Sequence, residues 1–307
     1  MNNKHAYLIM AHNDFGVLAE ILKELDNERN DIFLHIDVKA SNYSEDSLKS
    51  CVTKGKLYFV PRMNVNWGGY SQIACELHLM EQAKKEGEYQ YYHLLTGATF
   101  PIKTQSEILE FFDSHNGYEF IGFNYQKDFS ERVQKYNVFN ETGKSDTKIK
   151  EIKSFCRNKF RGLQKKLNYI YPPARGINFK KGFVYWSLTH DAVKYILSKK
   201  AYIEKVFKHS FCGDELFIQT ILYNSKFKDK IYNLEDEYAS CLRYVKPVQS
   251  WKAHFSGSSI KQSNAAENSI VAKDIDDILK TDNLFALKFV SDEGIKAIEE
   301  IRRKRGE

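Results

Sequence analysis

A chain of 307 residues and 35.8 kDa has room for a large core, and 42% hydrophobic with 28% charged residues is the balance of a folded protein, not a disordered one. Lys and Arg exceed Asp and Glu by 46 − 40 = 6, which permits an anionic partner without demanding nucleic acid. No stretch reaches the ~18 apolar residues of a membrane-crossing helix, and the apolar run near Met1 is too short for a signal peptide.

Ala6–Met10 reads as a buried strand, and the helical spacing of Val17, Leu18, Ile21, Leu22 and Leu25 predicts a helix over Phe15–Leu25. Ile32–Ile36, Leu57–Val60 and Tyr91–Leu95 read as further strands. Between them lie a short polar helix and a longer one over Tyr70–Lys85, with Ile73, Leu77, Leu79 and Met80 on its apolar side. A helix over Thr104–Phe112 starts at a capping-box pattern, Thr104 followed by Glu107. Strand–helix alternation predicts a mostly parallel α/β sheet flanked by helices in a single large domain, with ligands at the carboxyl ends of the strands. Those ends carry Ala11-His12-Asn13, Asp37, Trp67-Gly68-Gly69 and Thr96-Gly97.

From Lys148 to Lys181 there are eleven Lys or Arg and one acid, Glu151, interleaved with Ile152, Phe155, Phe160, Leu163, Leu167, Tyr169 and Ile170. This stretch is either a solvated basic helix or a patch for a membrane surface or anionic ligand. Gly182–Leu188 then reads as a strand, Asp191–Leu197 and Cys212–Leu222 as helices, and Ser240–Val245 as a strand. The chain closes with a charged helix carrying Ile295, Ile298 and Ile301 on its inner side.

Dinucleotide-binding and P-loop glycine motifs, a nucleophile elbow and a His-Glu-x-x-His pair are all missing from the sequence. The five cysteines are widely spaced, with no Cys-x-x-Cys pair, which argues against a disulfide framework or structural zinc and fits a reducing cytosol. The one Asp-x-Asp, Asp274-Ile275-Asp276, falls on a late amphipathic helix and reads as helix surface. Three features remain: Asp37 after a strand, Asp214-Glu215 at a helix start, and Lys288 in the apolar run of NLFALKFV. Capping accounts for one acid at a helix start but not for two.

In chain order, AYLIMAHN, LHIDVKAS, NVNWGGYSQIACELHLM, YYHLLTGATFPIKTQSEI, GFVYWSLTHDAVKYIL, CGDELFIQTIL, LRYVK and DNLFALKF together resemble the core-2/I-branching β-1,6-N-acetylglucosaminyltransferase and peptide O-xylosyltransferase family, in a bacterial-type form. The resemblance implies a GT-A-like fold over residues 1–307. Its nucleotide-sugar half is 1–115, and its acceptor and catalytic half is 116–307 with a basic insertion at 148–181. It also implies inverting transfer from a UDP-sugar to a glycan hydroxyl, with no metal or other cofactor. UDP-GlcNAc is the first expectation for the donor, with UDP-xylose or another UDP-hexose next.

Carried over by position, Glu215 is the catalytic base, and Lys288 replaces the metal at the diphosphate. The donor side takes in His12, Asp37, Trp67, Gly97, Arg243 and Lys261, and the acceptor side Glu119, Arg132, Asp214 and Trp251. The sequence departs from the family at Gly97-Ala98-Thr99-Phe100-Pro101, where an acid is usual. It departs again at the second diphosphate cation, which falls on Ala265 without a gap and on Lys261 or Lys252 with one. The expected setting is surface polysaccharide assembly in the cytoplasm, on a glycan acceptor that is lipid-linked, with peripheral contact at the inner, anionic membrane face. Rival readings are a non-catalytic glycan- or lipid-binding protein on a decayed scaffold and a nucleic-acid binder using Lys148–Lys181.

Overall fold

The computed structural model describes residues 3–143, 147–246 and 269–307. Its centre is a six-stranded sheet in the order β3-β2-β1-β4-β7-β6, formed by β1 (His5–Ala11), β2 (Asn30–Ile36), β3 (Lys56–Phe59), β4 (Tyr91–Thr96), β6 (Phe120–Ile121) and β7 (Trp186–Thr189). The first four run parallel, as the alternation predicts, whereas β7 runs antiparallel to both β4 and β6. Both faces are covered. Tyr7 and Ile9 of β1 join the core of the Phe15–Leu25 helix, while their neighbours Ala6 and Leu8 join that of the Tyr70–Glu86 helix. Burial on both sides explains why β1 and β2 read as continuous apolar runs.

A small second sheet sets β9 (Phe285–Leu287) between β5 (Thr99–Pro101) and β8 (Arg243–Val245). Because β5 follows β4 after a two-residue turn, this sheet carries the end of the chain to the rim of the central one. The predicted capping box is present: Thr104 Oγ1 accepts from Glu107 N at 3.3 Å, and Glu107 Oε2 accepts from Thr104 N at 2.7 Å.

Three sequence expectations need correction. Gly182–Leu188 is strand only from Trp186 onward, since β7 spans Trp186–Thr189. Ser240–Val245 is not one strand, because Asp236 caps a short helix, Glu237–Cys241, through Tyr238 N and Ala239 N, and only Arg243–Val245 is extended. Cys212–Leu222 is not one helix either. Cys212 has a left-handed φ of 51°, so a single tight turn, Gly213–Glu215, precedes the helix Phe217–Tyr223.

Candidate active site

The ends of β1, β2 and β4 are tied together, since Asp37 N donates to Ala11 O (2.9 Å) and Gly97 N donates to Met10 O (3.0 Å). The neighbouring loop Trp67-Gly68-Gly69 is closely packed at both of its glycines. Gly68 has φ +75° and a Cβ there would meet the Phe211 ring at 2.8 Å, while a Cβ on Gly69 would strike the Glu141 carboxylate. That carboxylate accepts from Ser71 N (2.9 Å) and Ser71 Oγ (2.6 Å) at the start of the helix. Trp67 stands half exposed with its ring edge-on to Phe211 at 5.8 Å. Gln72 joins this loop to the acidic turn, accepting from Gly68 N and donating to Asp214 Oδ2 at 3.0 Å.

Glu215, about a third exposed, sits where that turn meets a cleft. Its Oε2 accepts from Arg132 Nη1 at 2.6 Å and lies 3.8 Å from Lys181 Nζ, which is also 3.6 Å from Glu237. Both cations also attract the Phe129 ring, Arg132 at 4.8 Å and Lys181 at 5.4 Å, so their positions are set from two sides. Both ion pairs fall on the same oxygen, Oε2. The adjoining cleft, of about 370 Å³, is lined by Tyr125, Lys127, Phe129, Lys180, Lys181 and Leu216 among others. The lining thus combines aromatic faces with cations and one carboxylate, Asp128.

Asp214, assigned to the acceptor from sequence, is 5% exposed and faces the protein interior. Burial first, and then the charge of Glu215, pushes its carboxyl up to about 7, and its Oδ1 has no hydrogen-bond partner among the described residues. Glu76, wholly buried and hydrogen-bonded by Trp186 Nε1 at 3.1 Å, is likewise pushed well above its ordinary value by burial, with Asp214 adding to the effect. A carboxyl raised from 3.8 to about 7 gives stability that is present below 3.8 and lost as pH rises through 7. Wild-type protein should therefore lose about 2–3 kcal/mol more stability than Asp214→Asn between pH 5 and pH 8. Urea melts of both proteins at the two pH values measure this, and parallel slopes would disprove it.

Of the residues expected from the sequence to meet the donor, His12 is exposed just after β1, and Asp37 lies at the end of β2. The Asp37 carboxylate accepts from Lys39 N (2.8 Å), Lys39 Nζ (2.9 Å) and Val65 N (3.0 Å). Burial pushes this acid up, but those bonds prevail and hold it below its ordinary value. Gly97 leaves room for Ala11, whose Cβ is 3.2 Å from where its own would stand. Lys288 is exposed immediately after β9. It stands opposite the Gly97-Ala98 turn, because Leu287 pairs with Thr99 and Phe289 N donates to Ala98 O at 3.0 Å. The structure thus brings Gly97 and Lys288 together, and Arg132, Asp214 and Glu215 together. Lys261, Lys252, Ala265 and Trp251 lie outside the described residues.

Two assignments are corrected by burial. Arg243 does not reach a donor: it is fully enclosed, donating to Ser187 Oγ (2.7 Å), Cys241 O (2.5 Å) and Trp186 O (2.9 Å) over the ring of Phe285. Burial lowers its pKa to about 10, and it braces the small sheet against the central one. Glu119 is fully buried as well, accepting from Thr189 N (2.9 Å) and Thr189 Oγ1 (2.6 Å) where the His190–Ser198 helix begins. Glu119→Ala should cost about 2–4 kcal/mol by leaving these donors unpaired. It should leave acceptor KM unchanged in the folded fraction. Thermal melts and acceptor titrations check both, and a raised KM at unaltered stability would restore Glu119 to the acceptor.

The sequence reading missed Lys181, Gln72 and Glu141. Lys181 was counted within the basic stretch, although its place directly before Gly182 and the strand signal set it apart from the helix. Gln72 and Glu141 act through contacts 142 and 70 residues away in sequence, which no local pattern encodes. Asp274 and Asp276 are engaged by Lys246 (2.6 Å) and Lys304 (2.5 Å). No group of three or more His, Cys, Asp or Glu placed to hold a metal occurs among the described residues.

A model of the Core-2/I-branching enzyme family matches residues 5–262. The N-acetyllactosaminide β-1,6-N-acetylglucosaminyl-transferase of Homo sapiens is 21% identical over 224 residues, 70% of this chain and 52% of that protein. The probable β-1,3-galactosyl-O-glycosyl-glycoprotein β-1,6-N-acetylglucosaminyltransferase 7 of Sus scrofa is 25% identical over 113 residues, 36% of this chain and 26% of that one. The chain thus spans about half, or less, of the length of these curated relatives. The crystal structure of mouse xyloside xylosyltransferase 1 in its apo form aligns over 92% of this chain and 97% of its own, with 11% identity and a TM-score of 0.40.

Proposed function

The chain belongs to the Core-2/I-branching enzyme family, and from that premise we propose that it transfers N-acetylglucosamine from UDP-GlcNAc to a glycan hydroxyl, with inversion and without a divalent metal. The observation that carries the reading is Glu215, a carboxylate beside the cleft with Arg132 and Lys181 both on Oε2. An inverting transfer needs one base to take the proton of the attacking hydroxyl, whereas a glycoside hydrolase needs two carboxyl groups across the bond. Glu215 Oε1 takes that proton as the oxygen attacks the anomeric carbon, and the bond to the UDP oxygen breaks on the opposite face. Lys288, at the rim formed by Gly97 and Ala98, supplies positive charge for the departing diphosphate.

The names of the curated relatives support GlcNAc as the transferred sugar. Lys127, Lys180 and Lys181 around the cleft favour an acceptor bearing phosphate or carboxylate groups, as a lipid-linked glycan in surface polysaccharide assembly on the cytoplasmic side would. Release of UDP from a panel of UDP-sugars with EDTA present tests donor and metal independence together. Turnover of UDP-GlcNAc above the other donors is expected. Activity that vanishes with EDTA and returns with Mn²⁺ would refute the metal-free reading.

A further inference from the structure

The helix Lys148–Lys166 is mounted with its polar side against the protein and its apolar side out. Its buried residues are Arg157 and Gln164, seven apart and so on one face. Gln164 binds both backbone groups of Tyr136, at 2.8 Å each, and the Arg157 guanidinium lies 4.3 Å over the Phe211 ring. Ile149, Ile152, Cys156, Phe160, Leu163 and Leu167 follow at spacings of 3, 4, 4, 3 and 4, and all six are exposed, Ile149 and Leu167 at 66% and 69%. An ordinary surface helix buries such a stripe. Here the fold leaves it outward and edges it with cations, Lys148, Lys159 and Lys166 along one side and Lys153 along the other.

We propose that this helix lies flat on an anionic lipid surface, its apolar stripe inserted among the headgroups and its flanking lysines on the lipid phosphates. The charge pattern selects this occupant over a second copy of the chain. A twofold contact would set the patch against itself and oppose the four flanking lysines, Lys148, Lys153, Lys159 and Lys166, with the same four. A bilayer offers negative charge at the level where the lysine stems end and an apolar layer beneath it. Each lysine near such a surface strengthens binding roughly fivefold, so four act together without any specific contact. The helix also reports position: Arg157 rests on Phe211, whose ring meets Trp67. The inference does not depend on the transfer reaction.

Co-sedimentation of the full chain with phosphatidylcholine vesicles, with and without phosphatidylglycerol, tests it. Binding to the anionic vesicles should exceed that to neutral ones by about tenfold or more and should fade as salt shortens the screening length. Ile152→Ser combined with Leu163→Ser should lower anionic binding about tenfold or more while melting temperature and oligomeric state stay as in the wild type. Lys148→Glu combined with Lys159→Glu should abolish the preference for anionic vesicles. Equal binding to both vesicle types, no binding at low salt, or a wild-type dimer that the serine variant turns into a monomer would overturn the proposal.

Discussion

Glu215→Gln should lower turnover by about two to four orders of magnitude, the usual worth of a positioned general base. The amide has the shape of the carboxylate but cannot accept the hydroxyl proton. The variant also loses its ion pairs with Arg132 and Lys181, yet these are partly solvated, so the stability change should stay within about 1 kcal/mol. Lys181 keeps Glu237 at 3.6 Å and both cations keep the face of Phe129, so the cleft wall should hold its shape. UDP affinity should change little, because the base acts on the acceptor. Single-turnover rates and a UDP titration separate these effects, and a variant retaining more than about a tenth of wild-type turnover would remove Glu215 from the role.

Lys288→Ala should weaken UDP binding and slow transfer together, by roughly 10- to 1,000-fold. A unit charge ~4 Å from a phosphate oxygen is worth about 4 kcal/mol at an effective dielectric near 20, and less where water screens it. Lys288 is exposed, so the lower part of that range applies in the absence of donor, and the upper part once bound nucleotide excludes water. Mg²⁺ or Mn²⁺ should restore neither property. Lys288→Arg should recover part of both, since guanidinium keeps the charge with a different reach. Isothermal titration with UDP, paired with rates, measures the effect. Full activity in the alanine variant would place the diphosphate elsewhere.

Much of the N-terminal third was legible because its elements repeat a simple pattern. The residues expected on the inner face of the first helix, Val17, Leu18, Ile21, Leu22 and Leu25, are all fully buried, and the Thr104 capping box is present in both directions. Parallel strands buried on two faces announce themselves as unbroken apolar runs, and their carboxyl ends point to His12, Asp37 and Gly97 by topology alone. The rest depends on pairings distant in sequence. Nothing near Arg243 in the sequence says that its charge is spent on carbonyls inside the protein, because Leu-Arg-Tyr-Val reads equally well as a strand with an outward arginine. Glu119 is a similar case, since a lone acid before a short strand carries no mark of the helix start it supports 70 residues later. The acidic turn misleads in the opposite direction. Asp214 and Glu215 are neighbours in sequence, yet one is turned inward with its pKa raised by burial while the other is about a third exposed, in a tight turn that follows the left-handed Cys212. The basic stretch splits along the same lines, with Arg157 and Lys181 anchored to aromatic rings and the apolar residues left outside.

Stereochemistry tests the mechanism most directly. In a UDP-sugar the sugar is held in the α configuration, so direct displacement by a hydroxyl that Glu215 deprotonates must yield a β-linked product. The anomeric proton of the glycan formed from UDP-GlcNAc, read by NMR with EDTA present throughout, should show the β linkage alone. An α-linked product would contradict a single-displacement transfer with Glu215 as its base.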